Sequence, residues 1–172
     1  MSEHSPPMFD PTEALPDLDV TDLGTLYKRP GFLMRRAHQI SVSIFMDETA
    51  ATGVTTTQYG LMYILRARPG LDQISLAKLI GLDRSTTGLV LGKLERGGLV
   101  VRRASQNDRR RKELALTPEG EALLIALAGP VERAQEKVMT PFTEEERLQF
   151  LSLLNKFVTA YNGVVRAPLT PE

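Results

Sequence analysis

Residues 73–117 constrain the fold of this chain more than any other stretch, because they combine two helix patterns joined by a tight turn with a concentration of positive charge. A first helix is predicted after Ser75, a favourable N-cap residue, from apolar residues at i, i+3 and i+4 spacing. Gly81 is expected to end it, since glycine accepts the left-handed conformation common just past a helix end. After a short turn, a second helix is predicted from about 84 to 96, which completes a helix-turn-helix.

The second helix is predicted to have one apolar face and one polar face. The residues expected to point inward are Leu89, Val90 and Leu94. The residues expected to remain outside are Arg84, Ser85, Thr86, Thr87 and Lys93.

Two short segments with apolar and β-branched residues follow, at 99–103 and 112–116, and the polar loop 104–111 separates them. This pattern predicts a β-hairpin with a charged tip. Residues 84–112 contain nine Lys or Arg and two acids, a net charge of about +7, whereas the whole chain has a formal net charge of +0. A neutral chain with one strongly basic folded unit suits phosphate partners, and the acid elsewhere limits indiscriminate binding.

Three segments in this region, LERGGLVVRR (94–103), Asp108-Arg109-Arg110 and LTPEG (116–120), resemble the MarR family of bacterial transcription regulators in their order and spacing. The flanking helix patterns extend the resemblance over roughly residues 30–163. The family implies a mainly α fold with a small β-hairpin wing, a winged helix-turn-helix within an intertwined homodimer. Each second helix would enter a major groove and each wing would reach toward a minor groove.

The resemblance implies that the partner is a double-stranded DNA operator read by the second helix. Its first turn would present Arg84, Ser85, Thr86 and Thr87, where side chains reach base edges and backbone amides meet a phosphate. Arg84 is suited to fork onto a guanine. Lys93 is expected at a phosphate or in solvent, and ordinary helix capping is an alternative role for Ser85 and Thr86.

At the wing tip, the resemblance assigns the family's Asp-x-Arg motif to Asp108 and Arg110, with the acid holding the arginine toward the minor groove. Arg109 and Arg111 are expected to neutralise phosphates. Alternatively, either of them enters the minor groove and Arg110 neutralises a phosphate. A solvated run of charge is the alternative interpretation.

Helices are predicted on both sides of this unit, from about Gly31 to Thr52, from the Thr55–Gln58 capping box to Pro69-Gly70, from Thr117-Pro118 to about Met139, and from the Thr143–Glu146 capping box to about Val164. They have more apolar positions than one subunit can hide, which favours a homodimer. The predicted regions are a flexible arm at 1–23, a helical dimerisation region at 24–54 and 118–166, the winged DNA-binding lobe at 55–117, and a frayed tail at 167–172. The arm has four prolines, six acids and no Lys or Arg, and is either expendable or involved in dimer contact or ligand access.

A second resemblance concerns the segment KRPGFLMRRAHQIS (28–41), which is similar to the MarR branch that controls aromatic-acid catabolism, including regulators that respond to hydroxycinnamates or their CoA thioesters. It implies a small aromatic acid or aromatic CoA thioester as effector. The candidate ligand-binding residues are Arg35, Arg36, His38, Tyr59, Met62 and Tyr63. An arginine can pair with a carboxylate or phosphate while aromatic side chains hold a ring. Inter-subunit ion pairs and a structural histidine are the alternatives.

Other functions are disfavoured by what the sequence lacks. Cysteine is absent, so disulfides, thiolate zinc sites and cysteine-based sensing are excluded, and no cofactor or metal is expected. No enzyme motif occurs, and neither a membrane segment nor an export leader is found, so a cytoplasmic location is expected. The sequence therefore favours a repressor that binds a palindromic operator and is released by an aromatic ligand. A winged-helix protein-interaction module and an architectural DNA binder without an effector are the alternatives.

Overall fold

The computed structural model describes residues 23–104 and 112–170, and the chain divides into two compact units, the first ending at Gln39 and the second beginning at Ile40. The helices and strands, in chain order, are α1 (Leu23–Tyr27), α2 (Pro30–Glu48), α3 (Thr56–Ala67), α4 (Gln73–Ile80), α5 (Arg84–Arg96), β1 (Val100–Ala104), β2 (Lys112–Leu116), α6 (Pro118–Met139) and α7 (Glu144–Tyr161), and a 3₁₀ turn (Asn162–Val164) follows α7. The predicted class is confirmed: the protein is mainly α with an antiparallel β-hairpin after a helix-turn-helix.

The predicted capping boxes set the starts of two helices. At α3, Gln58 N donates to Thr55 Oγ1 at 3.3 Å and Thr55 N donates to Gln58 Oε1 at 2.9 Å. At α7, the same reciprocal bonds join Thr143 and Glu146. They also hold the pKa of Glu146 below its ordinary value, because the backbone amide of Thr143 donates to the carboxylate. Both predictions are therefore confirmed, since each box satisfies otherwise orphaned amides of the first turn.

The predicted N-cap of the first helix of the helix-turn-helix is wrong. Helix α4 begins at Gln73 and its N-cap is Asp72, three residues before the predicted N-cap Ser75. The Asp72 Oδ1 accepts from Ser75 N at 2.8 Å. The sequence did not reveal this first turn because its apolar member, Ile74, is 49% exposed and lies off the apolar face. Gly81 ends α4 with a φ of +70°, as predicted.

The core of the second unit lies where α3, α4, α5, α6 and the hairpin meet. Its fully buried side chains include Leu61, Leu76, Leu91, Leu94, Leu114 and Leu127. Two bonds hold the hairpin in place: Leu114 N donates to Leu71 O at 2.8 Å, and Thr117 Oγ1 after β2 donates to Gly98 O before β1 at 2.6 Å. These bonds fix the hairpin beside the end of α5.

Two long helices keep their apolar sides exposed in the single chain. On α2, Leu33 is 53% exposed and Ile40 is 47% exposed, although Phe45 near its end is buried. On α7 no residue is buried, and the exposed apolar residues are Leu148, Leu151, Leu153, Leu154, Phe157, Val158 and Tyr161. Within the described ranges, no helix combines the length and hydropathy needed to cross a bilayer.

The expectation of a frayed tail is wrong for residues 167–170. Leu169 N donates to Asn162 Oδ1, and Thr170 N donates to Lys78 O at 3.1 Å. The bond from Thr170 holds the end of the described chain against α4. Composition alone did not reveal it, because it joins the tail to a helix far away in sequence.

Candidate nucleic-acid interface

Helix α5 begins with a dense cap centred on the Asp83 carboxylate. Thr86 N donates to Asp83 Oδ1 at 2.9 Å, Thr86 Oγ1 donates to Oδ2 at 2.6 Å, and the Ser85 hydroxyl donates to Oδ1. The Ser85 hydroxyl, followed by the hydroxyl and amide of Thr86, holds the pKa of Asp83 well below its usual range. The hydroxyl protons of Ser85 and Thr86 are therefore engaged by the cap, and their oxygens can accept hydrogen bonds from outside the protein.

Thr87 does not lie on the outer face, so its assignment to the DNA contacts is wrong. Its side chain is fully buried, and its Oγ1 donates to Asp83 O at 2.9 Å. That bond satisfies the hydroxyl within the preceding turn, which lets a polar residue occupy a core position.

Leu89 is the reverse case, because it was predicted to point inward and is 71% exposed. Leu91 occupies the inward position instead, while Val90 is partly buried and Leu94 is buried, as predicted. The outer face of α5 therefore carries Ser85, Leu89 and Lys93 at i, i+4 and i+8, with Arg84 beside the first of them.

One glutamine that the sequence analysis did not single out links α5 to the hairpin. Gln73 Nε2 donates to Arg84 O at 3.0 Å, and its Oε1 accepts from an Arg102 terminal nitrogen at 3.0 Å. Arg102 Nε also donates to Glu95 Oε1 at 2.7 Å. We call Gln73, Arg102 and Glu95 the α5–wing clamp, since they bind the first turn of α5, its last turn and strand β1 together.

Several exposed cations belong to α5 and the hairpin. They are Arg84, Lys93, Arg96, Arg102, Arg103 and Lys112. The predicted wing-tip residues Asp108, Arg109, Arg110 and Arg111 lie outside the described residues. Exposed guanidinium and ammonium groups on a helix and a neighbouring hairpin suit a polyanion.

The candidate effector residues on α2 belong to the first unit. The Arg35 terminal nitrogen donates to Gln39 Oε1 at 3.1 Å, and the guanidinium carbon lies 4.9 Å from the centre of the Phe32 ring. Arg36 and His38 are exposed. Each of these three side chains is thus accessible to a solute.

The candidate effector residues on α3 belong to the second unit. Tyr59 lies between Phe45 and Tyr63, with ring centroids 5.9 Å away on each side. Burial, followed by the nearby Tyr63 and Glu132, raises the pKa of Tyr59. Tyr63 is 57% exposed, whereas Met62 is fully buried in the core. The expectation that Met62 contacts a ligand is therefore wrong for this conformation, because no part of its side chain reaches solvent.

Among residues 23–104 and 112–170, no group of His, Asp or Glu side chains is placed to hold a metal ion.

Comparisons with known proteins give consistent results. The family model described as the MarR family matches residues 54–112. A proposed transcriptional regulatory protein for the hcr operon of Thauera aromatica is 33% identical over 77% of this chain and 81% of its own length. The homoprotocatechuate degradative operon repressor of Escherichia coli is 30% identical over 74% of this chain and 86% of its own length.

Solved structures of similar fold are also transcription regulators. The transcriptional repressor CouR, solved bound to a 23-mer DNA duplex, superposes with a TM-score of 0.73 at 29% identity, over 79% of this chain and 96% of its own. Bordetella bronchiseptica BpsR, whose DNA binding is regulated by 6-hydroxynicotinic acid, superposes with a TM-score of 0.71 at 26% identity, over 76% of this chain and 94% of its own.

Proposed function

The chain belongs to the MarR family, and from this membership we propose that it is a transcriptional repressor that binds a palindromic DNA operator as a homodimer and is released by a small aromatic acid or an aromatic acyl-CoA. The observation that carries the proposal is the outward face of α5, joined to the wing by the α5–wing clamp. A relative of the same fold solved on a DNA duplex supports it. No catalytic step is part of the proposal, since the relatives are named as regulators.

The outer face of α5 would read the major groove. Arg84 is proposed to form a bidentate hydrogen bond with a guanine, the pairing that arginine favours in the major groove. Leu89 is proposed to contact a thymine methyl group, as apolar side chains do there. Ser85 and Thr86 would accept from base amino groups, because their protons are engaged by Asp83. Lys93 is proposed at a phosphate.

The wing is proposed to reach the adjacent minor groove. Asp108 would orient Arg110, while Arg109 and Arg111 would neutralise flanking phosphates. The net charge of about +7 over residues 84–112 supports this assignment. Arg110→Ala is expected to weaken operator binding at least about tenfold, which corresponds to about 1.4 kcal/mol.

The homodimer is proposed to form through residues 24–54 and 118–166, with residues 55–117 as the DNA-binding lobe. The exposed apolar side of α7 supports this, because a helix of 18 residues with none buried exposes more apolar surface than a monomer normally tolerates. Two copies related by a twofold axis would place their α5 helices in successive major grooves, about 34 Å apart.

The effector is proposed to be an aromatic carboxylate or acyl-CoA. The relative named for the homoprotocatechuate operon and the neighbour regulated by 6-hydroxynicotinic acid support this class. Arg35 and Arg36 would pair with the acid group and His38 would donate to a phenol or carbonyl. Tyr59 and Tyr63 would contact the aromatic ring. Each role is tested by its own substitution.

The experiment measures DNA and effector binding together. A duplex enriched by the protein from a random-sequence pool is titrated by fluorescence anisotropy, with and without a panel of phenolic acids and their CoA thioesters. Because operator and effector must weaken each other by the same factor, the effector should also bind less tightly to the DNA complex in calorimetry. Failure to enrich any duplex would refute the DNA-binding proposal. Binding that every effector leaves unchanged would instead favour an architectural DNA binder.

A further inference from the structure

The segment after α7 is closed by one internal pair of bonds and is anchored to the helix-turn-helix at two points. The Asn162 side chain closes it, because Nδ2 donates to Leu169 O and Oδ1 accepts from Leu169 N, each at 2.8 Å. Leu169 lies against Gly81, where an added Cβ would stand 3.1 Å from the Leu169 Cγ. Thr170 N donates to Lys78 O at 3.1 Å. We call residues 162–170 the C-terminal strap.

The strap carries an arginine to the start of α5. Arg166 is exposed and lines a groove with Gln73, Asp83, Arg84, Ser85 and Gly88. Within residues 23–104 and 112–170, Arg166 takes part in no salt bridge. Its guanidinium is therefore available to an outside anion.

Charge decides what this groove can bind. Asp83 is ionised, because its capping bonds lower its pKa, and its negative charge cancels that of Arg84. Without Arg166 the charged side chains lining the groove would sum to zero, and with it they sum to about +1. The strap thus restores a positive potential at the point where the recognition helix would approach the DNA backbone.

Building on the proposed DNA binding, we propose that Arg166 is an additional phosphate-binding residue of the operator interface, held beside α5 by the C-terminal strap. A guanidinium binds a phosphate through two parallel N–H groups, which suits an anchor that fixes the helix without reading bases. The strap also ends α7, so one continuous segment connects the last long helix to the DNA-facing surface.

The test compares Arg166→Ala with Arg66→Ala. Arg66 is a matched control, because it is exposed, pairs with Glu121 at 3.3 Å and does not line the groove. Anisotropy titrations use the pool-enriched duplex and a random-sequence duplex at several salt concentrations. Arg166→Ala should weaken binding to both duplexes by a similar factor, about three- to tenfold, and should reduce the slope of log affinity against log salt by about one. Arg66→Ala should change neither.

The strap's role is tested by releasing it. Leu169→Ala removes the contact with Gly81 and should reproduce the loss seen with Arg166→Ala, while the two substitutions together should cost no more than either alone. Arg166→Lys, which retains the charge, should recover most of the affinity.

The outcomes separate this inference from the proposed function. Wild-type binding with unchanged affinity and salt slope in Arg166→Ala would overturn the role of Arg166 and leave the operator proposal standing. Equal losses in Arg66→Ala and Arg166→Ala would also overturn it, since only net charge would then matter. A wild-type protein that binds neither duplex would overturn both.

Discussion

Gly88 is the position where the α5–wing clamp can be tested without touching a clamp residue. A Cβ added there would lie 2.9 Å from Gln73 Nε2. The flexible amide must then move, so Gly88→Ala is expected to break the bond from Gln73 to Arg84 O and the bond from Arg102 to Gln73.

Two opposing contributions set the size of the effect. Alanine inside a helix is more stable than glycine by roughly 0.5–1 kcal/mol. Each lost hydrogen bond costs roughly 0.5–1.5 kcal/mol. Two bonds are lost, so the free energy of unfolding should change by between about 0 and −2.5 kcal/mol in Gly88→Ala. Gly92→Ala is the control in the same helix, because an added Cβ there meets only a terminal nitrogen of Arg96 at 3.4 Å, and it should stabilise by about 0.5–1 kcal/mol.

Urea unfolding, followed by circular dichroism at one fixed protomer concentration, measures these differences. In a Gln73→Ala background the obstacle is gone, so Gly88→Ala should stabilise as much as Gly92→Ala does. Gly88→Ala should lower the affinity of the wild-type protein for the enriched duplex. The same substitution should leave the affinity of the Gln73→Ala variant unchanged. Equal stabilisation by both alanines in the wild-type background would refute the clamp.

Three further outcomes are expected. Leu89→Ala should leave the free energy of unfolding unchanged, since the side chain is exposed. It should weaken binding to a thymine-containing duplex about five- to thirtyfold, whereas the wild type and the variant should bind equally to a duplex with uracil in place of thymine. Glu48 has a lowered pKa because Lys137 and Arg133 donate to it, so its stabilisation is present above the ordinary glutamate pKa and is lost as pH falls through the lower folded value. Glu48→Gln should therefore show a shallower loss of urea midpoint than the wild type as the pH falls below the ordinary glutamate pKa. Gly120→Ala should prevent soluble folding, because its Cβ would stand 2.1 Å from Leu99 O, whereas Gly163→Ala, with nothing within 4 Å, should express and melt like the wild type.

Local signals in the sequence predicted most helix boundaries. The starts of α3 and α7 follow from capping boxes whose partners are three residues apart, and the end of α4 follows from a glycine with positive φ. Each of these features is complete within one turn of chain, so no tertiary information is needed to recognise it.

The faces of α5 were harder to predict because hydropathy assigns a residue by type and not by its bonds. Thr87 counts as polar, yet its hydroxyl is satisfied by the backbone of Asp83 and the residue is buried. Leu89 counts as apolar, yet it projects into solvent between Ser85 and Lys93. Only the structure gives the phase of the helix that places Leu89 outward and Thr87 inward.

Long-range contacts were beyond the sequence altogether. Gln73 bonds to residues 11 and 29 positions away, and nothing in its immediate neighbourhood indicates either partner. The same holds for Arg166, which lines a groove with Gln73 and Arg84. The tail at 167–172 was predicted to be frayed, because composition does not register a few specific anchors such as the contact of Leu169 with Gly81.

These contacts bear on how an effector would release the DNA. Gln73 and Arg102 fix α5 to the wing, and the C-terminal strap fixes the turn before α5 to the end of α7. A ligand that distorted α5 alone would have to break several of these bonds, whereas a change in the spacing of two intact lobes would break none. Because successive major grooves lie about 34 Å apart, a small change in spacing suffices to mismatch both helices at once. We therefore expect the effector to act on the dimer geometry, binding the mismatched spacing more tightly, and the α5–wing clamp to persist in the released state.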